Sequence, residues 1–270
     1  MKKFLYLYIL IVMIFAESSY AFKLIPLTPG VTELLVELGE ENNIIAVTNN
    51  AVFPERMLKL KKIGPFFRPN IESIFMLNPD YVIGVKFQKK YLDEIEKFGI
   101  KTIVVGDDSV DEIIKSVIVI SKELKIEKEG IRLSEKWKTC FNNIKTVSKN
   151  RPKVLIVVGH YKNGVIAAAN STFLSDILDL SGGINILKSN VEYPKLNLEN
   201  IVSLKPDMII DTSCKHNVSF YGEVKKYITY KLFTVNEKYI TIPGPRIFLS
   251  IKKIYKLLNN KELNLEKCLK

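Results

Sequence analysis

Apolar residues in this chain fall into short runs of two kinds. β-Branched runs bounded by Gly, Pro or Asp read as buried strands: Phe22 to Leu27, Lys101–Val105, Val154–Val158 and Lys238–Ile242. Runs at three- and four-residue spacing read as helices. One begins at Pro29, with Thr28 as N-cap, and continues through Leu38 to a stop at Gly39. Others cover Phe173–Leu180, ended by Gly182-Gly183, and Ile247 to Leu258. Strands alternating with helices predict an α/β protein with parallel sheets.

The same pattern occurs twice. Residues 70–83 (NIESIFMLNPDYVI) and 197–210 (NLENIVSLKPDMII) align without a gap at an offset of 127. Asn70/Asn197, Glu72/Glu199, Ile74/Ile201, Leu77/Leu204, Pro79/Pro206, Asp80/Asp207 and Ile83/Ile210 coincide. Asn is a good N-cap, and Glu in the first turn suits the positive end of the helix dipole. The Ile and Leu three apart give a short helix one buried stripe, and Pro ends it before a buried strand. Each copy is a helix–turn–strand unit, so the chain is expected to have two similar lobes.

Between them, Asp111 to Ser148 holds no proline and one glycine, Gly130. Ile113, Val117, Ile120 and Leu124, then Ile131, Trp137, Phe141 and Ile144, recur near helical spacing, which predicts a single long interdomain helix. The alternative is two helices broken near Lys125–Gly130. The expected division is a signal segment at 1–21, an N-terminal α/β lobe at 22–108, the interdomain helix at 109–150, a C-terminal α/β lobe at 151–258 and a tail at 259–270.

Composition narrows the function classes. With 47% hydrophobic and 26% charged residues, disorder and low complexity are excluded. The net charge of +11 suits nucleic acid, an anionic surface or an anionic ligand. The N-terminus decides against the first. Lys2 and Lys3 precede thirteen uncharged residues, Phe4 to Ala16, and then Ser19 and Ala21 stand at −3 and −1 of a cleavage point after Ala21. The apolar run covers only about 20 Å of helix, short of a membrane span. An exported, periplasmic protein is expected, with no nucleic-acid partner. Cleavage would remove Lys2, Lys3 and Glu17 and lower the charge by only one. Cys140, Cys214 and Cys268 allow at most one internal pair, which their spacing does not choose.

With these elements in order, the chain resembles the periplasmic substrate-binding proteins of ABC importers, in the helical-backbone class that carries cobalamin, haem and iron–siderophores. The resemblance rests on Leu27-Thr28-Pro29 with Thr32-Glu33, on the two Asn-x-Glu-x-Ile…Leu-x-Pro-Asp units, on Ser181-Gly182-Gly183-Ile184-Asn185 and on Pro243-Gly244-Pro245-Arg246. It covers 22–258 and is nearest in look to the cobalamin-binding members. It implies a ligand cleft between the lobes and a monomer that works with permease transmembrane subunits and a separate ATPase subunit. It also implies that the repeated glutamates, Glu72 and Glu199, dock into arginine pockets of the permease.

The ligand candidates follow from the repeat and from strand ends. Phe66 and Tyr193 each stand six residues before a repeated glutamate, where the resemblance implies aromatics facing the cleft; Phe67 can take the place of Phe66 if the loop shifts by one. Thr28, Asn50, Phe53, His160, Tyr161 and Arg246 lie just beyond predicted strands, where open α/β sheets bind ligands. His160 is equally readable as structural, and His216 gives a weaker signal. Arg68, Lys86, Lys162, Lys195 and Arg246 are expected to surround the cleft and attract a carboxylated or catecholate ligand.

The function expected is capture and delivery of a metal chelate, a cobalamin or cobamide first, with a ferric siderophore or haem as the alternative. No catalytic residue, resident cofactor or metal site is expected. Two histidines cannot supply a three-histidine site, which disfavours a carrier of free or loosely chelated metal such as nickel. Phosphate-loop, nucleophile-elbow, zincin and dinucleotide motifs are absent, which disfavours an exported α/β enzyme.

Overall fold

A computed structural model describes residues 22–144, 151–213, 217–235 and 238–269. The signal segment, Cys214 and His216 lie outside the described residues. The first lobe is built on β1 (Leu24–Pro26), α1 (Pro29–Glu37), β2 (Ala46–Val47), β3 (Lys61–Lys62), α2 (Ile71–Leu77), β4 (Tyr81–Val85), α3 (Lys89–Glu96) and β5 (Lys101–Val105). β4 pairs in parallel with β1 and β5, with Leu24 opposite Tyr81 and Tyr81 opposite Lys101. The short parallel pair β2–β3 joins β1 through a bridge between Leu24 and Ile44.

After the helical segment come β6 (Lys153–Tyr161), β7 (Gly164–Ala168), α6 (Phe173–Leu180), β8 (Ile184–Asn185), β9 (Lys195–Leu196), α7 (Leu198–Leu204), β10 (Met208–Asp211), α8 (Val218–Lys225), β11 (Lys231–Thr234) and α9 (Ile247–Asn259), where the numbering leaves α4 and α5 for the helices between the lobes. This sheet is mixed, not parallel throughout. β11, β10 and β6 are parallel, whereas β6 and β7 form an antiparallel hairpin, and β9 is antiparallel to β7. The alternating pattern did not reveal β7, whose small residues Gly164, Ala167 and Ala168 give little strand signal. Lys238–Thr241 is a 3-10 turn and not a strand; the edge strand is β11.

The two repeats perform the same jobs. Asn70 and Asn197 each cap their helix, accepting from the backbone N–H of Ser73 (2.8 Å) and Asn200 (2.9 Å). Ile74 and Ile201 are fully buried. Asp80 and Asp207 each accept, at 2.7 Å, the N–H of a lysine at the head of the neighbouring strand, Lys23 just before β1 or Lys153 opening β6. Asn78 and Lys205, each before the proline, adopt the left-handed conformation (φ 45 and 50°).

Alternation along the central strands sends residues to different cores. Ile25, Leu27 and Val82 pack with Ile74, Leu92 and Ile95 beneath α2 and α3. Leu155, Val157 and Ile209 pack with Ile201, Tyr221 and Val224 beneath α7 and α8. Their neighbours Leu24, Ile83, Val154, Ile156 and Ile210 meet in one continuous cluster common to both lobes.

The segment expected to be one long helix is two, α4 (Val110–Glu123) and α5 (Glu127–Asn143). Lys125 turns the chain at φ 60°, and the Ile126 N–H returns to the Ser121 carbonyl at 2.8 Å. Gly130 then lies against α4: a Cβ there would stand 1.9 Å from Ser121 Oγ and 3.4 Å from the Val117 carbonyl. Both helices bury an apolar face in the common cluster, α5 through Leu133, Trp137, Cys140 and Phe141 while Ile131 of the expected stripe is exposed, so the apolar spacing continues across the turn and hides it. Phe141 stacks on Phe248 of α9 at 4.7 Å, and Trp137 meets the same ring edge-on at 5.9 Å.

A disulfide joins Cys140 on α5 to Cys268 in a last helical turn, α10 (Glu266–Leu269). The tail after α9 is thus fastened at Cys268, and Leu265 is buried with it. Closing a loop of 128 residues removes unfolded-state entropy. Cys140→Ser is expected to lower the unfolding free energy by about 2–4 kcal/mol, read as a shifted urea midpoint that reductant reproduces in the unmodified chain.

Candidate ligand cleft

A cleft of about 540 Å³ opens between the lobes. Its first-lobe wall comes from the ends of parallel strands: Phe66 after β3, Lys86 and Phe87 after β4, and Asp107 and Asp108 after β5. Its second-lobe wall comes from Val158 of β6, Phe173 at the start of α6, Glu192 and Tyr193 before β9, and Pro243 before α9. Crevices beyond the carboxyl ends of parallel strands are the usual ligand sites of open α/β sheets.

Phe66 and Tyr193, the aromatics at equivalent places of the repeat, therefore come together from opposite lobes. Phe66 packs edge-on against Phe67 (5.6 Å) and Phe87 (6.0 Å). Phe67 and Phe87 are 61% and 57% exposed, leaving an apolar lip in water. Gln88, which the sequence did not single out, holds this wall. It is fully buried, donates to the carbonyls of Phe66 (2.6 Å) and Leu27 (3.0 Å), and accepts from the Val85 N–H (3.1 Å).

The charge of the cleft differs from expectation. Lys86 Nζ is engaged by Asp108 (2.8 Å) and Glu112 (2.6 Å), which raise its ammonium above the usual lysine range. Asp107 has no hydrogen-bond or ion-pair partner among the described residues. Burial, then the charges of Asp108, Glu192 and Glu112, push its carboxyl up to about 7 against the pull of Lys86. Glu192 is also raised, by desolvation first and then by Asp108. Tyr193 is partly exposed, and desolvation of its hydroxyl, then the charges of Glu192, Asp107 and Asp108, hold it in its neutral form. The other expected cations do not line this space: Arg68 and Lys162 are exposed, and Lys195 lies over the Tyr161 ring at 5.6 Å.

The remaining candidates are placed elsewhere. Thr28 is buried as the cap of α1, its hydroxyl accepting from the Val31 N–H. Asn50 is exposed in the turn after β2. His160 Nε2 lies 2.8 Å from Asp211 Oδ2, which also accepts from the Tyr221 hydroxyl (2.9 Å), while Ser213 donates twice to the other oxygen. That network sits within the second lobe, with His160 Nδ1 buried and unpartnered, and neither His160 nor Tyr161 lines the cleft.

Arg246 corrects the expectation most clearly. Its guanidinium forms two hydrogen bonds to the Glu33 carboxylate of α1, Nε–Oε2 at 2.9 Å and Nη2–Oε1 at 2.5 Å, and lies over the Phe53 ring at 4.8 Å. It is a clamp between lobes. Burial still raises the Glu33 pKa despite this partner. Phe53, Glu33 and Arg246 line a separate cavity of about 260 Å³ with Trp137 and Phe248. Between the two spaces α1 touches the Pro243–Gly244 backbone: a Cβ on Gly30 would stand 2.1 Å from the Pro243 carbonyl oxygen. Glu72 and Glu199 are exposed, one on each lobe, and neither has an ion-pair or hydrogen-bond partner among the described residues.

Two α/β lobes that face each other across an aromatic cleft define a protein built to enclose a small molecule. The family model described as periplasmic binding protein matches residues 24–234, and the chain belongs to that family. It is 23% identical over 246 residues to an uncharacterized ABC transporter substrate-binding lipoprotein, YvrC, of Bacillus subtilis, covering 86% of this chain and 78% of the relative. It is also 23% identical over 254 residues to a vitamin B12-binding protein of Photorhabdus laumondii, covering 91% and 92%. The fold is shared with the vitamin B12-binding protein BtuF of Vibrio cholerae (TM-score 0.73, 19% identity, 88% and 96% covered). It is also shared with a periplasmic haem-binding protein of Pseudomonas aeruginosa (TM-score 0.77, 16% identity, 90% and 95% covered).

The raised Asp107 carboxyl makes a stability prediction. Its folded value of about 7 exceeds the unfolded 3.8, so its protonated form favours folding below pH 3.8, and that contribution is lost as pH rises through 7. Asp107→Asn is expected to stabilise the chain on the order of 2 kcal/mol at pH 8. The gain should shrink toward zero as pH falls to 4, followed by thermal unfolding across that range.

Proposed function

We propose that the chain is the solute-binding component of an ABC importer that captures a metal chelate, a cobalamin or cobamide first, and delivers it to the permease. The observation that carries this reading is the pair Phe66 and Tyr193, set 127 residues apart in sequence and lining one cleft from opposite lobes. Facing aromatic rings suit a flat, polarizable chelate, and the cleft volume lies within the range of small-molecule sites. The names of curated relatives support the choice of cobalamin. Among the described residues no group of three or more His, Cys, Asp or Glu is placed to hold a bare metal ion.

Ligand enters between the lobes, and the loaded protein docks through Glu72 and Glu199, whose unpaired carboxylates are free to meet arginines on the permease. ATP hydrolysis belongs to a separate subunit. The working compartment is the periplasm, reached through a signal segment cleaved after Ala21. The Cys140–Cys268 bond fits an oxidising compartment. Among the described residues no helix is long and apolar enough to cross a membrane. A second reading, a ferric siderophore in the same role, is favoured over haem by the carboxylates of the cleft, which oppose haem propionates.

A calorimetric screen of cobalamin, haemin and ferric siderophores against the mature chain tests the ligand, and binding of none overturns this reading. Phe66→Ala with Tyr193→Ala is expected to weaken the bound chelate by about ten- to a hundredfold, since each stacked ring contributes about 0.5–1.5 kcal/mol beyond its buried area. Glu72→Ala with Glu199→Ala should abolish uptake while the calorimetric affinity stays unchanged; normal uptake by this variant would refute docking through the pair.

A further inference from the structure

The protein is basic, yet the space between Phe66 and Tyr193 is acidic. The charged groups converging there are Asp107 and Asp108 after β5, Glu112 on α4, Glu192 from the second lobe, and one lysine, Lys86 after β4. The other polar lining groups are uncharged: Thr172, Tyr193 and Thr241. Lys86 is already shared between Asp108 and Glu112, so it is not left to receive an anion. That triad keeps a net charge of −1, and Asp107 and Glu192 add two further carboxyl groups on opposite walls of the cleft. Asp107 accepts no hydrogen bond among the described residues, and the one nearby cation that opposes the repulsion, Lys86, is already bound to Asp108 and Glu112.

Like charges held together in a partly desolvated cleft are relieved when a cation enters between them. The apolar rings Phe66, Phe87 and Tyr193 line the same walls, and low-dielectric walls focus that field. Resting on the reading of this cleft as the chelate site, we propose that it selects chelates bearing net positive charge or a protonated amine and rejects carboxylate-bearing ones. The cationic group sits between Asp107 and Glu192, and the apolar body lies against the three rings.

Matched probes test this by fluorescence titration of the mature chain. One pair is the ferric complex of a linear trihydroxamate with a terminal ammonium and the same complex N-acetylated. The other is aquocobalamin and cyanocobalamin, which differ by one charge. Haemin serves as the carboxylate-bearing probe. In whichever pair binds, the cationic member should bind about tenfold tighter in 50 mM salt, and the gap should narrow severalfold in 500 mM salt. Asp107→Asn with Glu192→Gln should bring the ratio of the two affinities toward one. The salt dependence of the unmodified chain carries the same test without a substitution. Equal affinities within the pair, or tighter binding of haemin, overturn charge selection while leaving the cleft as a binding site. Binding of no probe overturns the chelate reading itself, and charge selection with it.

Discussion

The structure depends on one constraint: both faces of both central sheets are buried. Parallel strands cannot leave a face to water, so every other residue of β1, β4, β6 and β10 must find a second core. Each lobe supplies one of its own, beneath α2 and α3 or beneath α7 and α8. The opposite faces share a third, filled by α1, the α4–α5 hairpin, α6 and α9. The lobes are therefore not beads on a linker. They are two sheets packed onto common helices, and motion of one against the other must respect that packing.

Polar contacts across the same boundary add direction. The part-buried Glu33–Arg246 pair links α1 to the start of α9, and the Val110 N–H at the head of α4 donates to Asp176 of α6 at 2.9 Å. Breaking a buried pair strands a charge, so the clamp fixes which surfaces meet more than it adds to stability. Removing Arg246 from the list of ligand contacts and engaging Lys86 internally leaves the cleft with acidic character. The excess basic charge of the chain lies on other surfaces.

Much of this was legible in the residues. The repeat gave two lobes because its Asn, Glu, Ile, Pro and Asp act locally, through caps, first-turn charge and helix termination. Phe66 and Tyr193 could be paired because the repeat carried their positions with it. What was hidden depended on contacts distant in sequence. The turn at Lys125 is invisible to periodicity when both helices feed one core, although Gly130 was its trace. Arg246 read as a ligand cation because its partner Glu33 lies 213 residues away. Asp107 and Glu192 carry no motif; only the fold sets one against the other. Gln88 has an ordinary polar side chain, and nothing before the structure marked it as the tie behind the aromatic wall.

The residue before each repeat's proline has a further consequence. Asn78 and Lys205 share neither size nor charge, yet their backbones take nearly the same conformation, φ 45 and ψ 62° against φ 50 and ψ 60°. A residue before proline is disfavoured in the right-handed helical region, so the helix ends there, and the left-handed bend feeds the chain straight into the strand. What the two halves preserve at this point is a pair of torsion angles and not a side chain. Divergence between duplicated halves can thus erase the letters at a bend while geometry keeps the copy, and the kinship of the lobes is better measured there in degrees than in identities.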